Sequence, residues 1–434
     1  MAKIKKLLLI SLGIRLLLIF ISGYHPDILN HVDWGIRLWK YGSKDFYEQI
    51  FWGVSWPNQP LGTMYLFGLI AKVYQGIFGF LWFLNQKIAL FPSFIFPFLE
   101  AKLHIILLKI PFILTDLGLG GLLYQITTAL TKRKKAGILA ASLFLFNPVL
   151  IYNSAVWGQT DSLLNLLFLF GFWQLYQKKY FLGWLGVVAC LYFKLSLIIW
   201  LPIIGLIVWL HRKEWQKIFK NFALVTGIFI ALSLPFVHHG NVFTWLWYLY
   251  TNRVLPRQGN MLSGNAFNLW NLLYGLDLAL SPDLLLFGLR AKIWGYLLTL
   301  LSLSLVICFF IKKIIRKKKV VVFDYFWLFL FFSFASFLFL TNMHERYLYP
   351  IFAPLAILAA SKKISPKTYW LLASIHFLNL YTLWWYPKIN LLQAFLEAQD
   401  FLLPRFFSLV LLGVFLKLLV AYNKNNGQIA KKGK

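Results

Sequence analysis

The sequence predicts an all-α protein embedded in a membrane, and two observations carry this prediction. Hydrophobic residues make up 60% of the chain and charged residues 13%, whereas soluble domains have about 45–50% and about 25%. Apolar runs of roughly 20 residues, the length at which a helix spans the hydrocarbon core, recur along the chain. A membrane β-barrel would instead show alternating strands of about 10 residues. We expect about 12 membrane segments, within a range of about 10 to 13.

The net charge of +29 comes from lysines and arginines that stand in short clusters between the apolar runs. Such clusters mark cytoplasmic loops, so we assign the charge to membrane topology and predict no nucleic-acid partner. They indicate a multi-pass plasma-membrane protein with cytoplasmic N- and C-termini and an uncleaved first span at 7–21. The clusters lie at 3–6, 132–135, 178–179, 212–220, 312–319, 362–367 and 431–434.

Residues 22–103 are predicted to form a large first outer loop. Two neighbouring cytoplasmic clusters must enclose an even number of crossings, and the first span together with 105–128 already supplies two. The loop is rich in Trp and Tyr and is interrupted by Pro and Gly, so we expect helices that lie in the outer interface. The alternative is a hairpin that crosses at 61–84 and returns at 88–99.

The remaining spans are shorter and enclose two further outer segments. An outward and a returning span flank the polar turn 154–161. The apolar run 180–210 lies between two basic clusters, so it must form a hairpin of two short helices with Lys194 at its outer apex. Residues 238–286 form a second outer segment. No repeat or linker divides the chain, so we treat 1–434 as one integral membrane domain.

Polar residues on the predicted outer side are the candidates for chemistry, because the chain has only 14 acidic residues. Asp27 and Asp33 follow the first span, although either could simply cap an interfacial helix. Trp157, Gln159 and Asp161 form a polar turn between two spans. Helix capping would explain the acid in this turn but not the tryptophan and the glutamine.

Charged side chains at two other positions cost free energy in a membrane, so we expect them to have a function. Lone lysines usually snorkel to the surface, but Lys194 between two short apolar helices indicates a site. His344, Glu345 and Arg346 stand at the start of a span, and a simple Glu345–Arg346 ion pair is the alternative there. Asp116 lies within a span, where we expect it to hydrogen-bond a neighbouring helix and to have no catalytic role.

The motifs of these turns follow one another as Pro26-Asp27, Trp34, Gly42, Phe46-Tyr47, Lys109-Ile110-Pro111, Asp116, Asn147-Pro148, Trp157-Gly158-Gln159-Thr160-Asp161, Lys194 and His344-Glu345-Arg346-Tyr347. In this order, over roughly residues 1–360, the chain resembles bacterial GT-C glycosyltransferases. Within them it is similar to the group related to the mannosyltransferase that adds the second mannose of GPI anchors. The chain departs from that group at 56–60, where relatives carry Tyr-Pro-Pro, and at 194–196, where they carry Lys-Pro-Gln.

The resemblance implies a GT-C-like fold, a polyprenyl-phosphate-linked sugar as donor and an active site on the extracytoplasmic face. It also implies an essential acid in the first outer loop, which maps to Asp27; Asp33 has no such match and ranks second. The sugar would be a hexose, mannose on the resemblance, and the acceptor a lipid, a glycan or a protein. Direct displacement with Asp27 as base would invert the anomeric centre.

The other candidates receive roles from their chemistry. Positive charge and N–H donors stabilise a departing phosphate, and the remaining polar groups can hold or orient the substrate. Donor-phosphate binding is predicted for Lys194, Arg346 and His344, and substrate binding or orientation for Trp157, Gln159, Asp161 and Glu345. A divalent metal between the acids is the alternative here, but they offer no tight ligand cluster for it, so we predict no cofactor. The alternative function is a transporter or flippase of lipid-linked sugars.

Overall fold

The computed structural model describes residues 2–21, 25–50, 52–257, 259–315 and 320–428. The described chain is helical almost throughout, with one pair of two-residue strands, Leu285–Leu286 and Leu289–Arg290. The predicted all-α class is confirmed. The start of the predicted first outer loop at 22–24 and the basic residues 316–319 and 431–434 lie outside the described residues.

The helices vary widely in length. Up to residue 236 they are α1 Ala2–Leu18, α2 Pro26–Tyr41, α3 Leu61–Lys87, α4 Ser93–Thr131, α5 Lys134–Leu145, α6 Pro148–Trp157, α7 Asp161–Tyr176, α8 Tyr180–Phe193, α9 Leu195–Leu210 and α10 Arg212–Phe236. Beyond it they are α11 Val242–Tyr248, α12 Leu269–Tyr274, α13 Ala291–Ile315, α14 Val322–Phe339, α15 Phe352–Ala360, α16 Pro366–Tyr381 and α17 Asn390–Gln428. Shorter 3-10 or π-helical turns lie at Phe46–Glu48, Leu249–Val254, Leu255–Arg257 and Glu345–Ile351.

Within the described ranges, 6 helices are long and apolar enough to cross a membrane. They are α3, α4, α10, α13, α14 and α17, and the pair α5 and α6, bent by 52°, gives up to 7. The predicted character of an integral membrane protein is confirmed. Helices α8 and α9 are apolar but shorter, and the total of about 12 segments stays a prediction.

Helix α3 packs antiparallel against the first part of α4. The ring of Tyr74 stacks on His104 at 4.8 Å, and further along α3 the ring of Trp82 meets Phe96 at 5.0 Å. Most of α3 carries exposed apolar side chains, a surface that suits contact with lipid. By length and composition α3 could cross a membrane, while the interfacial position expected for 22–103 stays a prediction.

Helix α14 is the centre of the bundle. It is 94% buried, whereas α10 is 17% buried and α3 and α13 are each 22% buried. The Phe329 ring packs against Phe172 at 4.8 Å and against Trp200 at 4.7 Å, and the Trp200 Nε1–H donates a 2.8 Å hydrogen bond to Ser333 Oγ. Large aromatic contacts of this kind fix the helix in place. The loop that follows α14 therefore starts from a rigid point.

A buried ion pair joins the helices behind that loop. Arg15 Nε on α1 lies 3.0 Å from Asp116 Oδ2 on α4, and both side chains are fully buried. Ser154 Oγ donates to Asp116 Oδ2 at 2.6 Å and Tyr349 OH donates to Oδ1 at 3.2 Å. Buried charges persist when they are paired and hydrogen-bonded in this way. The prediction that Asp116 hydrogen-bonds a neighbouring helix is confirmed, and its partners fix α6 and the turn 345–351.

Candidate active site

Two cavities meet beside α2, α9 and the turn after α14. The polar chamber, about 220 Å³ in volume, is lined by Asp27, Asn30, His31, Trp34, Ser55, Asn58, Gln59, Lys194, Gly259, Met261, His344, Arg346 and Tyr347. The apolar groove, about 330 Å³, is lined largely by α9 and α14 through residues such as Leu197, Ile198, Ser336, Phe337 and Leu340. Asn58, Lys194 and Tyr347 line both cavities. The two spaces together offer a charged end and an apolar channel.

Helix α2 places the acid in the polar chamber. The helix begins at Pro26, and the Asp27 N–H donates a 3.2 Å hydrogen bond to Nδ1 of the capping residue His25. A proline at the first position and an acid in the first turn both favour a helix start here. Side chains three, four and seven positions apart share one helix face. Four of them line the polar chamber: Asp27, Asn30, His31 and Trp34.

The Asp27 carboxylate is held by two nitrogen groups. Gln159 Nε2 donates to Asp27 Oδ2 at 2.7 Å, and Arg346 Nη2 lies 3.3 Å from the same oxygen. Burial alone would raise the pKa of the Asp27 carboxyl, but the positive charge of Arg346 and other nearby cations holds it below its usual range. Asp27 is therefore an ionised carboxylate at neutral pH.

Gln159 reaches Asp27 because the end of α6 is irregular. The helix finishes in a π-helical turn, Tyr152–Trp157, and Gly158 follows with a φ of 81°. A Cβ atom at position 158 would lie 2.8 Å from Ile28 Cδ1 of α2. Glycine tolerates both the left-handed conformation and this close approach. The motif Trp-Gly-Gln thus brings α6 against α2 at the acid.

Arg346 connects the acid to a second carboxyl group. Its guanidinium lies 5.5 Å from the centre of the Trp157 ring, and Nη1 is 3.3 Å from Glu345 Oε1. Glu345 is 1% exposed. Burial raises the pKa of Glu345 to about 7, although Arg346 opposes the shift. The pKa values of the two acids beside Arg346 are therefore shifted in opposite directions, and Asp27 is the one that stays ionised near neutral pH.

His344 contributes hydrogen bonding rather than charge. It opens the turn 345–351, and its main chain pairs with that of Gly264. Burial lowers the pKa of His344 to about 3, and it lowers the pKa values of His25 and His31 to about 3 as well. All three imidazoles are neutral at physiological pH. The positive charge expected at the phosphate site thus falls to the lysine and the arginine.

The break in the apolar run 180–210 falls at Lys194, which separates two short helices as predicted. Lys194 is extended, with φ −164° and ψ 144°, between α8 and α9. The residue is 9% exposed. No residue in the described part of the chain hydrogen-bonds or ion-pairs with its ammonium group. Burial and the charge of Arg346 lower the pKa of this ammonium group, while the nearby acids Asp161 and Asp27 raise it. A buried ammonium without a direct ion pair is costly, and its place at the junction of the two cavities suits an anionic ligand.

The remaining predicted acids occupy different positions. Asp161 begins α7, accepts a 3.2 Å hydrogen bond from Asn153 Nδ2 and lines the apolar groove. Asp33 Oδ2 lies 2.5 Å from Arg37 Nε, one turn further along α2, and neither described cavity includes Asp33. The predicted residues that line the cavities are Asp27, Asp161, Lys194, His344 and Arg346. Trp157, Gln159 and Glu345 line neither cavity but contact Arg346 or Asp27, and Asp33 lies outside.

Part of the chamber wall is formed by residues that the sequence did not single out. His31, Asn30 and Gln59 line the polar chamber, and Ser55 N–H donates to Asn30 Oδ1 at 3.0 Å. The helical spacing from Asp27 would have identified Asn30 and His31. Nothing in the local pattern around Gln59 indicates its position, because the irregular segment that carries it folds back onto α2.

No protein-family model matches the chain, and no curated protein matches it. Within the described ranges, no three His, Cys, Asp or Glu side chains come together as a group that could hold a metal ion.

Proposed function

We propose that the chain is a membrane glycosyltransferase that transfers a hexose from a polyprenyl-phosphate donor to an acceptor hydroxyl on the extracytoplasmic face. One observation carries the proposal: the buried Lys194, which no described residue pairs with directly, lies where an apolar groove opens into a polar chamber that holds an ionised carboxylate. A lipid phosphate sugar has the same three parts in the same order. Its chain is apolar, its phosphate is anionic and its sugar is polar.

The charges of the chamber suit the two ends of a displacement reaction. Lys194 and Arg346 would bind the phosphate, and His344 would donate a hydrogen bond to it. The acceptor oxygen attacks the anomeric carbon while the bond between that carbon and the phosphate oxygen breaks, and the electron pair leaves with the phosphate. Asp27 takes the proton of the acceptor hydroxyl. One displacement on one carbon inverts its configuration.

The ion pair between Asp27 and Arg346 would make the basicity of Asp27 depend on donor binding. Arg346 Nη2 lies 3.3 Å from Asp27 Oδ2 and weakens the carboxylate as a base, because it stabilises the ionised form. A donor phosphate would compete for the guanidinium and so raise the basicity of Asp27. The base would then be strongest when the donor is bound.

The identity of the sugar and the side of the membrane come from the sequence. Mannose follows from the resemblance to GT-C mannosyltransferases, and the basic clusters favour an extracytoplasmic site in the plasma membrane. Helix α7 supports this placement, since its first residue, Asp161, lines the apolar groove. Its 16 residues extend about 24 Å to the basic turn at Lys178 and Lys179. The groove and a predicted cytoplasmic cluster thus lie at opposite ends of one helix.

The test is transfer from radiolabelled polyprenyl-phosphate-mannose in proteoliposomes that contain wild-type protein or the Asp27→Asn variant, with a mixed lipid and protein extract as acceptor. We expect a labelled product with the wild type and a loss of about 10²- to 10⁴-fold in the variant, as for removal of a general base. The Asp33→Asn variant should retain the wild-type rate, because Asp33 lies outside both cavities. Protein-dependent movement of the labelled lipid between leaflets without product would favour a transporter and overturn the proposal.

A further inference from the structure

His31 and Gln59 form a buried pair on the wall of the polar chamber, and the proposed reaction gives neither of them a task. His31 is 1% exposed and Gln59 is 8% exposed. Gln59 Nε2 lies 3.1 Å from His31 Nε2. Among the described residues, His31 Nδ1 and Gln59 Oε1 have no hydrogen-bond partner. Buried polar atoms are normally paired, and both side chains line the polar chamber, so the two unpaired atoms point to a ligand in the chamber that pairs with both.

The chemistry of the two atoms identifies that ligand. Burial lowers the pKa of His31 to about 3, so its imidazole is neutral. A neutral imidazole whose Nε2 accepts from the Gln59 amide carries its hydrogen on Nδ1. The pair therefore presents one N–H donor and one carbonyl acceptor. A hydroxyl group, which donates and accepts at once, is complementary to both; an anion would satisfy the donor alone.

The pair is held firmly beside the base. His31 follows Asp27 by one turn on the same face of α2, and its ring stacks on Phe67 at 4.4 Å. Tyr47 OH donates a 2.8 Å hydrogen bond to the Gln59 carbonyl oxygen. Rigid support of this kind is what makes a polar contact selective. A group that meets the pair lies within about one helical turn of the Asp27 carboxylate.

We propose that His31 and Gln59 bind a hydroxyl group of the transferred hexose and thereby select which hexose the chain uses. The inference rests on the proposed function and names part of its sugar-binding site. Discrimination follows from the burial of the pair, because a sugar without that hydroxyl would leave a buried donor and a buried acceptor unpaired.

Binding to purified full-length protein in nanodiscs tests the inference without requiring turnover. The probes are the mannosyl and glucosyl esters of a polyprenyl phosphate and, for the tighter of the two, its monodeoxy analogues. With the wild type we expect one analogue to bind about tenfold more weakly than the parent ester. In Gln59→Leu and in His31→Phe, which keeps a ring on Phe67, that difference should disappear.

Two further variants separate this site from the phosphate site. Lys194→Met should weaken the binding of the parent ester and of the analogue to the same extent, so that the ratio of their dissociation constants is preserved. Asp33→Asn should change neither affinity. If the ratio persists in both pair variants, or if every analogue binds like the parent, the inference is wrong while the proposed function stands. If the wild type binds no lipid phosphate sugar, the proposed function fails and the inference fails with it. Thermal unfolding of each variant checks that it is folded.

Discussion

A buried ammonium group without a direct ion pair lowers the stability of a folded chain, and no described residue makes such a pair with Lys194. Replacement by methionine keeps the length of the side chain and removes the charge. We expect the Lys194→Met variant to unfold at a higher temperature and yet to need about 10- to 100-fold more donor for half-maximal transfer, the effect of losing one charge-assisted contact. Thermal unfolding in detergent and donor-dependent rates measure the two effects.

Lys178→Met is the matched control for Lys194→Met. Lys178 lies in the turn between α7 and α8, and its ammonium group makes a 2.5 Å surface ion pair with Glu214. Exposed pairs contribute little to stability, so both the melting temperature and the donor dependence should stay near wild type. An unchanged donor dependence in Lys194→Met would remove this lysine from the phosphate site.

The charged residues of the site were predictable from the sequence, because a charged side chain next to the membrane costs free energy. The uncharged residues of the site were not. Lys194, Arg346 and Asp27 could be identified because ionised groups next to apolar runs are rare unless they are used. Gln59 could not, since an uncharged side chain in an irregular segment carries no such signal. The ionisation of His344 was also beyond prediction, because its pKa depends on burial that only the fold determines.

At the scale of elements, Gly158 controls how closely α6 approaches α2. Its φ of 81° and the 2.8 Å that would separate a Cβ from Ile28 Cδ1 both disfavour any side chain. We expect Gly158→Ala to push α2 away, lengthen the contact between Gln159 and Asp27 and reduce transfer about 10- to 100-fold. The measurement is the transfer rate with both substrates saturating, together with the melting temperature.

Gly121→Ala serves as the control for this glycine. Gly121 lies within α4, and a Cβ atom there would meet nothing within 4 Å. Alanine is the better helix former, so this variant should keep full transfer and wild-type or higher stability. Equal rates for the two alanine variants would show that the approach of α6 to α2 is not required.

Helix ends differ in how well the sequence predicts them. The break at Lys194 was predictable, because the apolar run 180–210 is bounded by basic clusters and a charged residue stands in its middle. The π-helical end of α6 was not. Most of the residues in Tyr152–Trp157 have modest helix propensity, which does not distinguish a π-helical turn from an ordinary helix end. One contact of this turn, the hydrogen bond from Ser154 Oγ, is made to Asp116, which is distant in the sequence.

For the whole molecule, composition predicts the class better than it predicts the path of the chain. An apolar chain of this kind must be a membrane protein, and the described fold has the expected exposed apolar helices around the buried α14. The number of membrane crossings is harder to predict from the sequence, since several helices are short or bent. The pair α5 and α6 has a 52° bend, and α17 leaves helical geometry at 398–401.

Buried neutral histidines should make the whole protein sensitive to acid. The folded state lowers the pKa values of His25, His31 and His344 from 6.5 to about 3, so below pH 6.5 the unfolded chain binds protons that the folded chain does not. The free energy of unfolding should then fall as the pH drops from about 6.5 towards 3, by about 1.4 kcal/mol per pH unit for each histidine. Glu345 has a pKa that is raised from 4.5 to about 7. Between these pH values the folded chain binds a proton that the unfolded chain does not, so Glu345 increases the free energy of unfolding as the pH falls.

Because three histidines oppose one glutamate, the net contribution of the site is a loss of stability in mild acid. Denaturant unfolding at about pH 7.5 and about pH 5 measures it. His344→Gln cannot gain a proton and should reduce the difference between the two pH values, whereas Glu345→Gln should increase it, since it removes the opposing group. His239→Gln, at an exposed position, should leave the difference unchanged. A wild-type stability that rises on acidification would contradict the burial of neutral imidazoles around Asp27, and with it the hydrogen-bonding role given to His344.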